Sequence, residues 1–140
     1  MPRIHLQRAY KHMKLFFRYF FRTLRIVLGP FMLLWERITT PKGLVRTAEK
    51  QQQVDRQTQT LVLYQFKTCP FCIKVRREIS RLALNIESRD TQKDPQHRAA
   101  LLQGGGQIKA PCLKISEEQN DSRWLYESDD IIQYLRKRFA

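Results

Sequence analysis

The sequence predicts an α/β domain, a four-stranded mixed sheet flanked by helices, with an amphipathic and hydrophobic helix added at the N-terminus. Three observations predict it. Between residues 60 and 140, short apolar runs alternate with amphipathic stretches in the order β-α-β-α-β-β-α. A Cys-x-x-Cys stands where the first of those strands hands over to a helix. The charge is lopsided: residues 1–50 hold 11 Lys+Arg and 2 Asp+Glu, whereas residues 51–140 hold 15 and 11. A chain of 140 residues has room for one domain of about 100 residues and an appendage. Its hydrophobic fraction of 42% supports a packed core rather than a disordered basic tail.

Residues 1–38 carry the excess of cations. Lys11, Lys14, Arg18, Arg22 and Arg25 are spaced 3, 4, 4 and 3 apart, which places them on one helical face. Leu15, Phe16, Phe17, Tyr19, Phe20 and Phe21 interleave with them. Ile26 to Trp35 then runs without a charge, interrupted by Gly29-Pro30. That run is shorter than the roughly 20 residues a bilayer span needs. Extending it back to Leu15 takes in three arginines, each costing about 2.5–3.5 kcal/mol at the bilayer centre. Residues 11–35 are therefore expected to lie on an anionic membrane surface as a peripheral or monotopic segment, in preference to a single span. The aromatic content favours lipid over nucleic acid. A surface-lying segment is expected to keep the basic N-terminus and the domain that follows on one side, the cytoplasmic face of a membrane. Residues 39–59 contain Pro41-Lys42-Gly43 and a Gln-rich stretch, and read as a polar, partly helical linker.

Residues 60–140 form the expected domain. Leu61–Phe66 reads as a buried strand, and Ile73–Ala83 as an amphipathic helix entered through Pro70. Asn85–Asp90 is a second strand. Asp94 caps a short helix through Leu102, which Gly104-Gly105-Gly106 ends. Pro111–Ile115 and Arg123–Tyr126 are the third and fourth strands. Ser128 caps a last helix, Asp129–Arg138, with acids first and bases last as the helix dipole favours.

Several chemistries are disfavoured. Only His5, His12 and His97 are present, against a Ser-His-Asp triad or a His-rich metal site. There is no P-loop signature. Cys69 and Cys72 read as a redox pair. At a helix N-terminus, with Lys67 and Lys74 close in sequence, a thiol is expected to fall from about 8.5 into the range of roughly 3.5–7.5. Cys72, three residues on and more buried, can resolve a mixed disulfide on Cys69. A structural zinc needs four ligands, and only Cys112 and His97 remain in the domain, so no metal is expected. Cys112 reads as a small core residue; a third reactive or metal-binding thiol is the alternative. His97 and the group Arg76, Arg77 and Arg81 read as solvated surface, with the arginines able to steer an anion.

Tyr64-Gln65-Phe66-Lys67-Thr68-Cys69-Pro70-Phe71-Cys72, then Ala110-Pro111, then Glu127-Ser128-Asp129-Asp130-Ile131, resemble a glutaredoxin of the kind related to glutathione-transferase N-terminal domains. These share the thioredoxin-like fold. The chain is also similar to the thioredoxin-like part of the membrane-associated prostaglandin E synthases of type 2. The resemblance covers about residues 60–139. It implies glutathione as co-substrate, Cys69 as nucleophile and Cys72 as the second thiol of a dithiol site. Pro111 would be cis, with the Ala110 backbone pairing with the cysteinyl part of glutathione. Glu127, Ser128 and Asp129 would hold its γ-glutamyl end and Lys67 its glycyl carboxylate. Ala110 replaces the usual Thr or Val, Lys67 lies one residue nearer the cysteine than in small glutaredoxins, and Cys112 is unusual after the proline. The chain ends before the helical domain of a full transferase, so a transferase with its own hydrophobic pocket is not expected. The implied activity is glutathione-dependent reduction of glutathionylated or disulfide-containing proteins. The alternatives are a glutathione-ligated iron–sulfur carrier and a membrane-tethered isomerase.

Overall fold

The computed structural model describes residues 3–140; the side chains of residues 3–10, His5 among them, and of Asn120 are outside the described set. The chain divides into two compact units, the first ending at Ile38 and the second running from Thr39 to Ala140. Helix α1 (Arg3–Thr39) runs through the first unit, and its last residue, Thr39, belongs to the second. The helix passes through Pro30 without a break. The proline removes one backbone hydrogen bond there, and the helix formers Leu28 before it and Met32, Leu33 and Leu34 after it flank the gap. Among the described residues no helix is long and apolar enough to cross a membrane.

In the second unit the elements are α2 (Ala48–Thr58), β1 (Leu61–Gln65), α3 (Pro70–Arg81), β2 (Glu87–Asp90), α4 (Pro95–Gly105), β3 (Cys112–Ser116), a 3-10 turn at Glu118–Asn120, β4 (Ser122–Leu125) and α5 (Ser128–Phe139). The sheet order is β2-β1-β3-β4, with β1 and β2 parallel and the other pairs antiparallel. The two-residue period of a strand separates two cores. Leu61 and Leu63 of β1, with Leu113 and Ile115 of β3, pack with Val75 and Leu82 and with Ile131, Leu135 and Phe139 of α5. On the other face Tyr64 and Cys112 pack with Leu101 of α4, flanked by Val62, Trp124 and Tyr126. A slip of one residue in register would exchange these sets, so the pairing of Tyr64 with Cys112 is fixed by both faces at once.

Residues 39–59 are not a linker. They belong to the second unit, and α2 packs onto its core through Val54 and the buried Thr58. Gln52, Gln53, Gln57 and Gln59 are exposed as a tether's would be, but Gln51 and Arg46 satisfy backbone carbonyls. Gln51 Nε2 donates to Ala83 O at 3.0 Å. Arg46 donates to Leu82 O at 2.6 Å and to Phe139 O at 2.7 Å, so one guanidinium serves the C-terminal ends of α3 and α5 together.

One cap and one helix end also differ from expectation. Asp94 caps α4 as expected, accepting from Gln96 N at 2.9 Å and His97 N at 3.4 Å. In α5, however, Ser128 is already helical and Glu127 occupies the N-cap position without a side-chain cap bond. Helix α4 runs past Leu102 to Gly105 and turns out at Gly106, whose φ of 85° is left-handed. Gly104 and Gly105 are there for clearance. A Cβ on Gly104 would sit 2.1 Å from Trp124 Cζ2, and one on Gly105 would sit 1.8 Å from Tyr126 Oη.

Candidate active site

The register brings the three sequence motifs to one end of the sheet. β1 and β2 run parallel and finish together at Gln65 and Asp90. β3 begins at Cys112, opposite Tyr64, and β4 finishes at Leu125, opposite Leu113. The loop to Cys69, the Ala110–Pro111 step and the start of α5 therefore leave the sheet on the same side. Ligands of open α/β sheets bind at such carboxyl ends. Lys74 Nζ and Asp129 Oδ1 pair directly, tying the second turn of α3 to the first turn of α5. The Ala110–Pro111 bond is cis.

Cys69 holds the N-cap position of α3 with φ −81° and ψ 127°, and Pro70 follows at N1. Its side chain makes no cap bond, so the sulfur is not committed to the helix. Its backbone is committed: Cys69 N donates to Phe66 O at 3.3 Å, and its carbonyl accepts from Ile73 N at 3.0 Å. Cys69 is half-buried and Cys72 fully buried, and both are free thiols. Cys72 Sγ accepts from Phe66 N at 3.4 Å and shares a hydrogen bond with the Cys69 side chain. Burial, the largest cause, pushes the Cys72 thiol up to about 12, and the neighbouring Cys69 adds to the rise. The Phe66 N–H and the positive charge of Arg76 oppose it.

The arginine group expected as solvated surface does structural work here. Arg76, one helical turn beyond Cys72, donates to Gln65 Oε1 at 2.7 Å and to Lys67 O at 2.9 Å. It braces the loop that carries Cys69. Its spacing of four from Cys72 was the available signal. Arg77 donates to Thr39 O at 3.0 Å, and Arg81 to the buried Glu78. Lys67 is exposed. Glu127 and Asp129 are exposed and already carry cations: Lys109 Nζ lies 2.5 Å from Glu127 Oε1, and Lys74 pairs with Asp129. Lys109 was not singled out from sequence. Ser128 is buried beneath them.

Cys112 does not join the pair. It lies in the core on the α4 face of the sheet, beside Tyr64 and Leu101, and is fully buried. Burial raises its thiol to about 12, against a smaller lowering by the hydrogen bond with Tyr126. His97 is less solvated than expected: its Nδ1 is buried, has no hydrogen-bond partner and lies 3.5 Å from Asp94 Oδ2. Among the described residues no group of three or more His, Cys, Asp or Glu side chains is placed to hold a metal ion.

A sheet in the order β2-β1-β3-β4, with a cysteine pair opening the helix after β1 and a proline entering β3, defines the class: a thioredoxin-like α/β domain. Within that class the chain belongs to the glutathione S-transferase N-terminal domain family, which matches residues 63–140. Among solved structures it is similar to the trimeric glutathione transferase TDR1 of Leishmania, with 26% identity over 57% of this chain and 18% of that one and a TM-score of 0.48. A maleylacetoacetate isomerase from Anaeromyxobacter dehalogenans shares 25% identity over 57% of this chain and 36% of that one, TM-score 0.41. The buckwheat glutaredoxin–glutathione complex shares 20% identity over 66% of this chain and 88% of that one, TM-score 0.44. The chain spans well under two thirds of the length of the first two. No curated protein matches it.

Proposed function

We propose that this protein is a glutathione-dependent thiol–disulfide oxidoreductase acting on glutathionylated or disulfide-containing proteins, with glutathione as co-substrate. The observation that supports this best is the pairing of a half-buried, uncapped Cys69 with a buried Cys72 at the end of the sheet where Pro111 and Ser128 also emerge. The thiolate of Cys69 attacks the glutathione sulfur of a protein–glutathione mixed disulfide. The protein thiolate leaves and takes up a proton, and a Cys69–glutathione disulfide remains. A second glutathione thiolate then attacks the glutathione sulfur, releasing oxidised glutathione and restoring Cys69. Ala110 backbone, Glu127, Ser128, Asp129 and Lys67 are the groups assigned to glutathione.

Cys72 could instead displace glutathione by closing a disulfide with Cys69. Burial holds the Cys72 thiol far above the usual range, so little of it is thiolate at neutral pH. Capping Cys69 with glutathione removes its upward contribution, but burial, the largest cause, remains. The second glutathione is therefore the faster route. The reading places the protein at the cytoplasmic face of a membrane, with residues 11–35 on the lipid surface.

The test is turnover of a glutathionylated peptide by the full chain with glutathione in excess. Cys69→Ser is expected to abolish it and Cys72→Ser to keep most of it. A folded, inert wild type that purifies with bound iron would overturn the reading in favour of a cluster carrier.

A further inference from the structure

The surface of α1 is divided unequally, and the division says what covers it. At 100° per residue, Lys11, Lys14, Arg18, Arg22 and Arg25 fall within an arc of about 80°. Gly29, Met32 and Glu36 continue that arc toward the C-terminal end. Between residues 11 and 38 the remaining arc of about 280° is apolar except for His12, Thr23 and Arg37. The apolar residues are exposed all round it: Phe16 and Trp35 at 66% each, Phe31 at 63%, with Phe17, Phe20, Phe21, Ile26, Val27 and Leu28 between them. Phe16 stacks on Phe20 and Phe17 on Phe21, so the aromatics cover one another along the helix and leave their outer faces bare.

Two kinds of partner fit less well than a third. A second copy of the helix, or a groove in another protein, covers one side of a helix and would leave most of this apolar arc in water. A second copy would also bring five cations toward five cations, with Glu36 as the one acid of the first unit to offset them. A lipid leaflet meets both demands together. It offers a plane of phosphates to the narrow arc and an apolar phase to the rest.

We infer that α1 seats in a single leaflet with its axis below the phosphate plane, Lys11, Lys14, Arg18, Arg22 and Arg25 rising to lipid phosphates and the aromatic arc buried in the acyl boundary. The width of the apolar arc sets the depth. A helix lying on the surface divides its circumference nearly evenly, whereas this one has to sink until only its cationic ridge reaches the headgroups. The three arginines that count against a span cost little in this geometry, because their side chains reach up to water. The seat rests on the membrane half of the function proposed above and not on its thiol chemistry, so each can fail without the other.

The test is flotation of the full chain with vesicles of phosphatidylcholine, with and without phosphatidylglycerol, alongside the triple variant Arg18→Ser/Arg22→Ser/Arg25→Ser. The chain is expected to float with the anionic vesicles. Each removed cation is expected to weaken partitioning about fivefold, or about a hundredfold for the triple variant. An N-terminal epitope tag should stay open to protease added outside intact vesicles. Far-ultraviolet circular dichroism of the triple variant should match wild type, which shows that it folds. Equal flotation with neutral vesicles and no loss in the variant would overturn the role of the cations. A chain that stays in the aqueous phase as an oligomer would mean that a second copy covers α1. Protection of the tag would mean a span. Any of these three would sink the single-leaflet seat, and none would touch the assignment of Cys69.

Discussion

Three buried residues, Glu78, Cys72 and Cys112, are held far from their ordinary titration ranges. Glu78 is almost fully buried between Arg136 and Arg81, with Arg136 Nε at 2.9 Å and Arg81 Nε at 3.0 Å from Oε1. Those hydrogen bonds, Arg136 first, hold its carboxyl down at about 2 from 4.5. The folded value lies below the unfolded one, so the stabilisation is complete above about pH 4.5 and is lost as pH falls toward 2, a contribution of roughly 3 kcal/mol. Glu78→Gln is expected to lower the unfolding free energy at pH 7 by about that amount and to flatten its decline in acid, as read from urea denaturation at both pH values. At Cys72 and Cys112 the opposite shift, upward by burial, predicts that iodoacetamide at pH 7 labels Cys69 alone. All three cysteines should label in denaturant, as counted by mass. The sequence showed the cysteine pair plainly, because a Cys-x-x-Cys after an apolar strand is a local pattern. It could not show which face of the sheet Cys112 occupies, since that depends on its register against Tyr64, about 50 residues away. It could not show Glu78 either: an acid amid arginines on an amphipathic helix looks solvated until α5 supplies Arg136.

At the scale of elements, hydrophobic periodicity placed each strand and helix of the sheet domain to within a few residues. The failures came where a polar residue serves another element's backbone. The segment Gln51-Gln52-Gln53 looked like a tether because composition carries no record of the carbonyl that Gln51 meets. Thr47 caps α2 by accepting from Lys50 N at 3.4 Å, a local signal that was available. The contact of Arg46 with the ends of two distant helices was not. Arg46→Ala leaves the Leu82 and Phe139 carbonyls without that donor and removes a cation from two helix C-termini. It is expected to cost about 2 kcal/mol, measured by chemical denaturation, with thiol turnover in the folded protein unchanged. The glycine run teaches a similar lesson. It looked like a loop, yet two of its members end a helix, and the lack of a side chain lets Trp124 and Tyr126 lie against them. Gly104→Ala forces Trp124 to move and is expected to destabilise by about 1–3 kcal/mol.

For the whole molecule, the division into two units separates the charge from the chemistry. Residues 1–38 hold 8 Lys+Arg and 1 Asp+Glu, a net +7 of the total +13, whereas the cysteine pair, the cis-proline and the start of α5 all belong to the second unit. Sequence motifs foretold that convergence because they sit at strand ends, and the sheet order gathers strand ends. The boundary of the folded unit was less visible: it lies near residue 39 rather than 60, because α2 and Arg46 belong to the domain. A fragment of residues 39–140 is therefore expected to keep glutathione-dependent turnover while losing vesicle binding. A fragment of residues 60–140 should melt at a clearly lower temperature, as read by circular dichroism.

The placement of Cys112 on the far face of the sheet also sets the valence of the molecule toward its own kind. A chain with one reachable sulfur can be joined to at most one other chain. Under oxidant without glutathione, the covalent products should stop at Cys69-linked dimers and internally closed monomers. On a membrane, where neighbouring copies would be crowded together, that limit keeps oxidative damage finite, since no ladder of larger species can grow from a monovalent unit.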